Sequence, residues 1–203
     1  MPRVLLASQS PRRRKLLDDH GIEHGAISSG VDDGVLMRGG VTPSEWVAAL
    51  AYFKAAAARE RVMPAEYQPG EVVILGADTV VRKADRVIGQ PSDEADAERI
   101  IRTLQNGEHD VLTGVAFVDA ASGKRDMWVD RARVRVGEIG DDRIAAYLAS
   151  GAWRGKAGAY NLSERIADGW PIEYDGDPGT IMGLPMRRLR DRLIAFRDAC
   201  VSR

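Results

Sequence analysis

Asp78 interrupts a run of apolar, small or threonine residues from Val72 to Val81. A carboxylate buried in such a strand costs several kcal/mol unless it is paired or binds a metal. Asp78 is therefore a candidate general base or divalent-cation ligand. The alternative is a strand that stops at Gly76 with Asp78 capping a turn, and Val80 and Val81 argue against it. Arg12, Arg13 and Arg14 present the opposite misfit. They fall in the first turn of a helix opened by Ser10 at N-cap and Pro11 at N1. A helix N-terminus carries about +0.5 charge and disfavours cations there. With the hydroxyls of Ser8 and Ser10 beside them, the arginines make sense around a bound anion such as phosphate. They make equal sense as a solvated basic face paired with Asp18 and Asp19.

Lys54 lies at i+7 from Val47 and i+4 from Leu50, on the apolar stripe of a second helix. It either snorkels to water or directs its ammonium into an anion site. Asp32-Asp33 is an acidic pair in the loop between the first two helices, and it would hold a metal only by meeting Asp78 in space. Lys156, within the Gly-rich Gly155–Tyr160 stretch, is a ligand contact or an ordinary loop lysine. Arg131, Arg133 and Arg135 alternate on the wet side of a strand and read as solvated, and His109 reads as structural.

The elements that must position these groups follow from periodicity and punctuation. Val4–Ala7 reads as a short strand, followed by a turn and a helix stopped at Gly21. Thr42-Pro43-Ser44-Glu45 spells a capping box for a helix running to about Arg61. Val72–Val81 and Arg86–Ile88 make a hairpin around Lys83-Ala84-Asp85. A helix spans Asp93–Gln105 with Asn106-Gly107 as its C-cap. Val111–Val118 is a strand, and Trp128, Asp130, Ala132, Val134 and Val136 form the dry side of another. Asp141–Ser150 is a helix, the chain turns at Asp175–Gly179, and Pro185 opens a last amphipathic helix. Strands and helices alternate with hairpins among them, so the chain reads as a mixed α/β sheet.

Composition sets the outer limits. The 203 residues predict a single domain, residues 1–203, able to bury a full core. Twenty-nine Lys and Arg against thirty Asp and Glu leave a charge of -1, so no global field draws the protein to nucleic acid or membrane. With 44% hydrophobic residues the chain reads as ordered. One cysteine, Cys200, excludes a disulfide framework, and the histidines His20, His24 and His109 argue against a His-rich metal centre. No apolar run approaches the roughly 18 residues of a membrane span. The expected compartment is the cytoplasm.

Taken together, the motifs resemble the Maf family of nucleoside triphosphate pyrophosphatases. Leu6-Ala7-Ser8-Gln9-Ser10-Pro11-Arg12-Arg13 is similar to the family's LASxSPRR opening. Leu50–Ala55 resembles its LAxxKA helix, and Gly76–Val81 its GADTVV strand. Asn106-Gly107, His109 and Thr113-Gly114 resemble its sGxxHxVxTG stretch, Lys156–Tyr160 its KAGAY, and Gly183-Leu184-Pro185 its GLP. Six motifs in the family's order cover nearly the whole chain. The resemblance implies two α/β lobes around a cleft, similar to inosine triphosphatase, and hydrolysis of a nucleoside triphosphate to monophosphate and pyrophosphate. It implies Asp78 as the base that activates water. Ser8, Ser10, Arg12, Arg13, Lys54 and Lys156 would line the phosphates, and Arg12 and Thr79 match positions linked to base selection. Mg²⁺ or Mn²⁺ near Asp78 and Asp33 would offset phosphate charge. Ala159-Tyr160 resembles the branch acting on dTTP and UTP, and the family permits a homodimer.

Three positions depart from the pattern. Asp32-Asp33 replaces an Asp-Glu pair, Gln90 in Gly89-Gln90-Pro91 replaces the family's lysine, and Ser163 replaces a glutamine. Losing a cation that faces the transition state can cost several kcal/mol of barrier. The departures motivate an alternative function, a nucleotide-binding module with weak or no turnover.

Overall fold

Strand β1 (Arg3–Leu6) pairs in parallel with β2 (His24–Ala26) on one side and with β3 (Val72–Lys83) on the other. The computed structural model describes residues 1–31 and 39–202. Beyond β3 the sheet continues antiparallel through β5 (Gly107–Asp119), β6 (Arg125–Val136) and β7 (Ile172–Asp175). The order is β2-β1-β3-β5-β6-β7, with β4 (Arg86–Ile88) attached to the far end of β3.

Alternation along β3 sends its side chains to two different cores. Val72 and Ile74 meet Ala51, Ala55 and Ala58 of α2 (Pro43–Arg59). Val73 and Leu75 meet α1 (Pro11–Asp19) through Leu16 and Leu17, and α7 (Met186–Val201) through Leu189, Leu193 and Phe196. A third core gathers the opposite ends of the long strands. Val81, Val111, Val134 and Val136 pack there against α3 (Glu94–Leu104) and α4 (Asp141–Ala149). Two bodies thus share β3, β5 and β6, giving a mixed α/β sheet with flanking helices and two lobes.

A mismatch of strand lengths creates the opening between them. β1 ends opposite Leu75, and β4 begins pairing only at Val81. Between these points β5 holds one edge of β3, with Asp78 opposite Gly114 and Thr79 opposite Thr113. The other edge, from Gly76 to Val80, takes no strand partner among the described residues. Side chains from both faces of β3 can reach round that edge.

Thr42 caps α2 as expected: its side chain accepts from Glu45 N–H, and the Glu45 carboxylate accepts from Thr42 N–H at 2.8 Å. Other boundaries moved. Ser10 occupies the N-cap of α1, yet its side chain makes no capping bond. α3 ends at Leu104, and Asn106 rather than Gly107 takes the left-handed turn, at φ 53°, because Gly107 already belongs to β5. The short β2 and β7, and helices α5 (Leu162–Ala167) and α6 (Pro178–Met182), carry too few residues for a periodic signal. Among the described residues no helix is long and apolar enough to cross a membrane.

Close approach of α2 to the sheet depends on two glycines. A Cβ on Gly76 would lie 2.1 Å from the Ala51 carbonyl oxygen, and one on Gly114 would lie 2.3 Å from that of Val47. Both clashes are with backbone, which cannot rotate away. Overpacking of this kind costs about 1–3 kcal/mol or more. Gly114→Val is expected to lower the urea-unfolding free energy by at least about 2 kcal/mol. Gly40→Ala, with open space around it, should stay within about 0.5 kcal/mol of the parent.

Candidate active site

The open edge of β3 borders a cleft of about 690 Å³. Asp78 and Lys54 enter it from the α2 face of the sheet. The Lys54 Nζ donates to Asp78 Oδ1 at 2.7 Å, and both side chains are about nine-tenths buried, 11% exposed each. Lys54 therefore does not snorkel. A buried ammonium and carboxylate compensate one another only in close, hydrogen-bonded geometry, and this contact has it. Asp78 is the one carboxylate among the described residues that line the cleft.

Ser8, Ser10, Arg12 and Arg13 reach the same cleft from the β1–α1 turn, and Thr79 and Gln90 line it from the β3–β4 side. The arginines do not pair with Asp18 or Asp19, and Lys15 takes Asp19 at 2.9 Å. Arg13 spreads its guanidinium over three elements. Its Nε donates to Gly183 O at 3.0 Å, Nη1 to Ser8 Oγ at 3.1 Å and Nη2 to Thr79 Oγ1 at 3.3 Å. Ser8 Oγ also accepts from Ser10 N–H at 3.2 Å. A hydroxyl has two acceptor sites and one proton, so Ser8 with both sites filled meets a ligand as a donor. Arg12 donates to Gly155 O at 3.2 Å, and burial lowers its pKa from the ordinary guanidinium value, with Glu164 opposing the shift.

Lys156, Ser163 and the ladder of Arg131, Arg133 and Arg135 lie elsewhere. Lys156 is buried in an ion pair with Glu164, and Ser163 is exposed, donating to Asn161 Oδ1 at 2.8 Å; neither lines the cleft. Asp32 and Asp33 fall outside the described residues. Arg131, Arg133 and Arg135 are exposed, and Arg135 pairs across the strands with Glu108 at 2.6 Å.

Several lining residues are not among the site candidates read from the sequence, although Tyr160 belongs to the KAGAY stretch. Arg154 reaches the cleft with its guanidinium 4.6 Å from the centre of the Trp153 ring. Tyr160 and Asn161 enter it because Gly158 and Ala159 turn the chain through left-handed conformations, φ 71° and 63°. A Cβ on Gly158 would lie 2.8 Å from Val81 Cγ2, so that turn requires glycine. Ala159 is a non-glycine residue in a conformation that costs roughly 1 kcal/mol or more. Its carbonyl accepts from Tyr147 OH at 2.8 Å.

Behind the cleft, His109 Nε2 lies 2.8 Å from the Tyr160 hydroxyl, with the two rings edge to face. Burial, reinforced by the charge of Lys83, lowers the His109 pKa from 6.5 to about 4. Burial also raises that of Tyr160. Between pH 6.5 and about 4 the unfolded chain binds a proton at His109 that the folded protein does not. This component of stability is present above pH 6.5 and is lost on acidification towards pH 4. Its size is at most about 3 kcal/mol. In urea unfolding at pH 7 and pH 4.5, His109→Gln is expected to lose less stability on acidification than the parent.

Comparison with known proteins adds an independent line. The sequence model of the family described as Maf-like protein matches residues 3–196. The dTTP/UTP pyrophosphatase of Pelotomaculum thermopropionicum is 39% identical over 196 residues, covering 97% of each chain. That of Salinibacter ruber is 36% identical, over 96% of this chain and 92% of its own. That of Acetivibrio thermocellus is 35% identical, over 97% and 96%. Among solved structures, the nucleoside-triphosphatase / dITP/XTP pyrophosphatase of Mycobacterium abscessus aligns at TM-score 0.40 and 13% identity, over 66% of this chain and 74% of that one.

Proposed function

The chain belongs to the Maf-like protein family, and from that premise we propose that it hydrolyses a nucleoside triphosphate of the dTTP/UTP kind to monophosphate and pyrophosphate. The observation that carries the reading is the buried Lys54–Asp78 pair opening into the cleft that Ser8, Arg12 and Arg13 border. The relatives' printed activity supports the choice of substrate.

Each residue then has a part in one displacement. Asp78 accepts a proton from a water whose oxygen attacks the α-phosphorus. The bond from that phosphorus to the bridging oxygen breaks, and pyrophosphate leaves with the electron pair. Lys54 compensates the Asp78 charge and places a cation beside the reacting phosphates. Arg12, Arg13 and the hydroxyls of Ser8 and Ser10 hold the triphosphate, and Thr79 borders its nucleoside. Lys156 is held in its pair with Glu164 and takes no direct part.

Among the described residues one carboxylate, that of Asp78, lines the cleft, which suits a hard cation that arrives with its substrate. Mg²⁺ commonly takes one or two carboxylates, keeps several waters and completes its shell with phosphate oxygens. Asp78, with Asp33 as the second candidate, would hold Mg²⁺ or Mn²⁺. When bound, such an ion offsets phosphate charge and polarises a phosphoryl oxygen.

A pyrophosphate-release assay over a panel of triphosphates tests the reading. Asp78→Asn is expected to slow release from dTTP and UTP by about 10²- to 10⁴-fold, and release that persists undiminished would remove Asp78 as the base. Gln90 places a neutral side chain at the rim of the cleft. Gln90→Lys should raise kcat by about tenfold, equivalent to about 1.4 kcal/mol of barrier. Tight triphosphate binding by the parent with no pyrophosphate formed would instead mark a binding module.

A further inference from the structure

Thr79, Thr113 and Asp130 occupy one row across three neighbouring strands, Thr79 opposite Thr113 and Thr113 opposite Asp130. Thr180 of α6 lies against the same row. Its hydroxyl donates to Asp130 Oδ2 at 2.6 Å, and its carbonyl accepts from Thr113 Oγ1 at 2.7 Å. Thr113 and Thr180 are fully buried. Thr113 Oγ1 is also 2.9 Å from Thr79 Oγ1.

The direction of every bond in this row is fixed by counting protons. A carbonyl oxygen cannot donate, so the single Thr113 proton is committed to Thr180 O. The Thr79–Thr113 bond must therefore use the Thr79 proton. With its proton turned inward, Thr79 Oγ1 can only accept, and it does so from Arg13 Nη2. One acceptor site remains on this hydroxyl, and Thr79 lines the cleft.

We propose that Thr113 is a positioning residue that makes Thr79 an acceptor-only contact, so that Thr79 takes an N–H or O–H donor of the nucleoside and not a phosphate oxygen. This rests on the nucleotide-binding part of the function proposed above. Ser8 has the complementary polarity. Both of its acceptor sites are filled, by Arg13 and by Ser10 N–H, so it offers a proton to an anionic oxygen. Phosphate belongs against Ser8 and a nucleoside donor group against Thr79, the two hydroxyls that Arg13 bridges.

Calorimetry with two probes separates the two contacts: inorganic tripolyphosphate, and a non-hydrolysable α,β-imido analogue of UTP. Thr113→Val keeps the side-chain shape and releases the Thr79 proton. It is expected to weaken the UTP analogue about 3- to 10-fold, the range of one neutral hydrogen bond, and to leave tripolyphosphate within about twofold. Thr113→Ser, which restores the hydroxyl, should keep both affinities within about twofold of the parent. Equal weakening of both ligands, or an unchanged affinity for the nucleotide in a folded Thr113→Val protein, overturns the proposal. Should that variant not fold, Thr113→Ala, which removes the same hydroxyl, is measured with the same probes. A loss confined to the nucleotide upholds the proposal, and an equal loss for both ligands overturns it. Pyrophosphate release from UTP by the parent reads the hydrolytic reaction separately: binding without release sinks hydrolysis and leaves the Thr113 role standing, whereas no binding of either probe overturns both.

Discussion

The contact between Lys54 and Asp78 makes the most severe demand on this molecule. Two charges removed from water are tolerated only at close range, and that range is set by how near α2 lies to β3 and β5. Gly76 and Gly114 provide the nearness, since either Cβ would strike the helix backbone. Gly114 is also the cross-strand partner of Asp78. The same glycine that admits the helix therefore lies beside the carboxylate that the helix must neutralise. A capping box at Thr42 fixes where α2 begins, and hence at what height along β3 Lys54 arrives.

On the other face of the sheet, Arg13 performs the matching task. Its guanidinium joins the β1–α1 turn through Ser8, the sheet through Thr79 and the α6–α7 junction through Gly183. A rigid planar fork with several donors suits such a three-way junction better than a lysine ammonium would. Arg12, its neighbour in the chain, is left to face the cleft from a partly desolvated position, tethered to the Gly155 carbonyl. One arginine thus builds the site, and the next lines it.

Polarity in the cleft is graded, because hydroxyl groups shared among fixed donors and acceptors cannot turn freely. Ser8 is a donor and Thr79 an acceptor for reasons that lie outside the cleft, in Ser10 N–H and in the Thr180 carbonyl. Left-handed turns at Gly158 and Ala159 bring Tyr160 into the lining, and His109 holds its hydroxyl from behind. Burial keeps that histidine neutral over most of the range in which exposed histidines titrate.

Local physics made the chemistry-bearing residues visible in the sequence. An acid among apolar β positions, a lysine on an apolar helical stripe and arginines at the wrong end of a helix each contradict their immediate surroundings, and such contradictions need no partner to be seen. The strand and helix cores followed from the same short periods. Asp130, on the dry side of its strand, was a misfit of that kind whose meaning only Thr180 supplies. Tertiary structure alone decided that Lys54 meets Asp78, that Lys156 turns to Glu164, and that Arg154 and Asn161 join the cleft. It also decided that Asp78 and Thr79, on opposite faces of one strand, border the same opening. That last outcome depends on where β1 stops relative to β3, a matter of non-local register set by packing, and no residue states its own register.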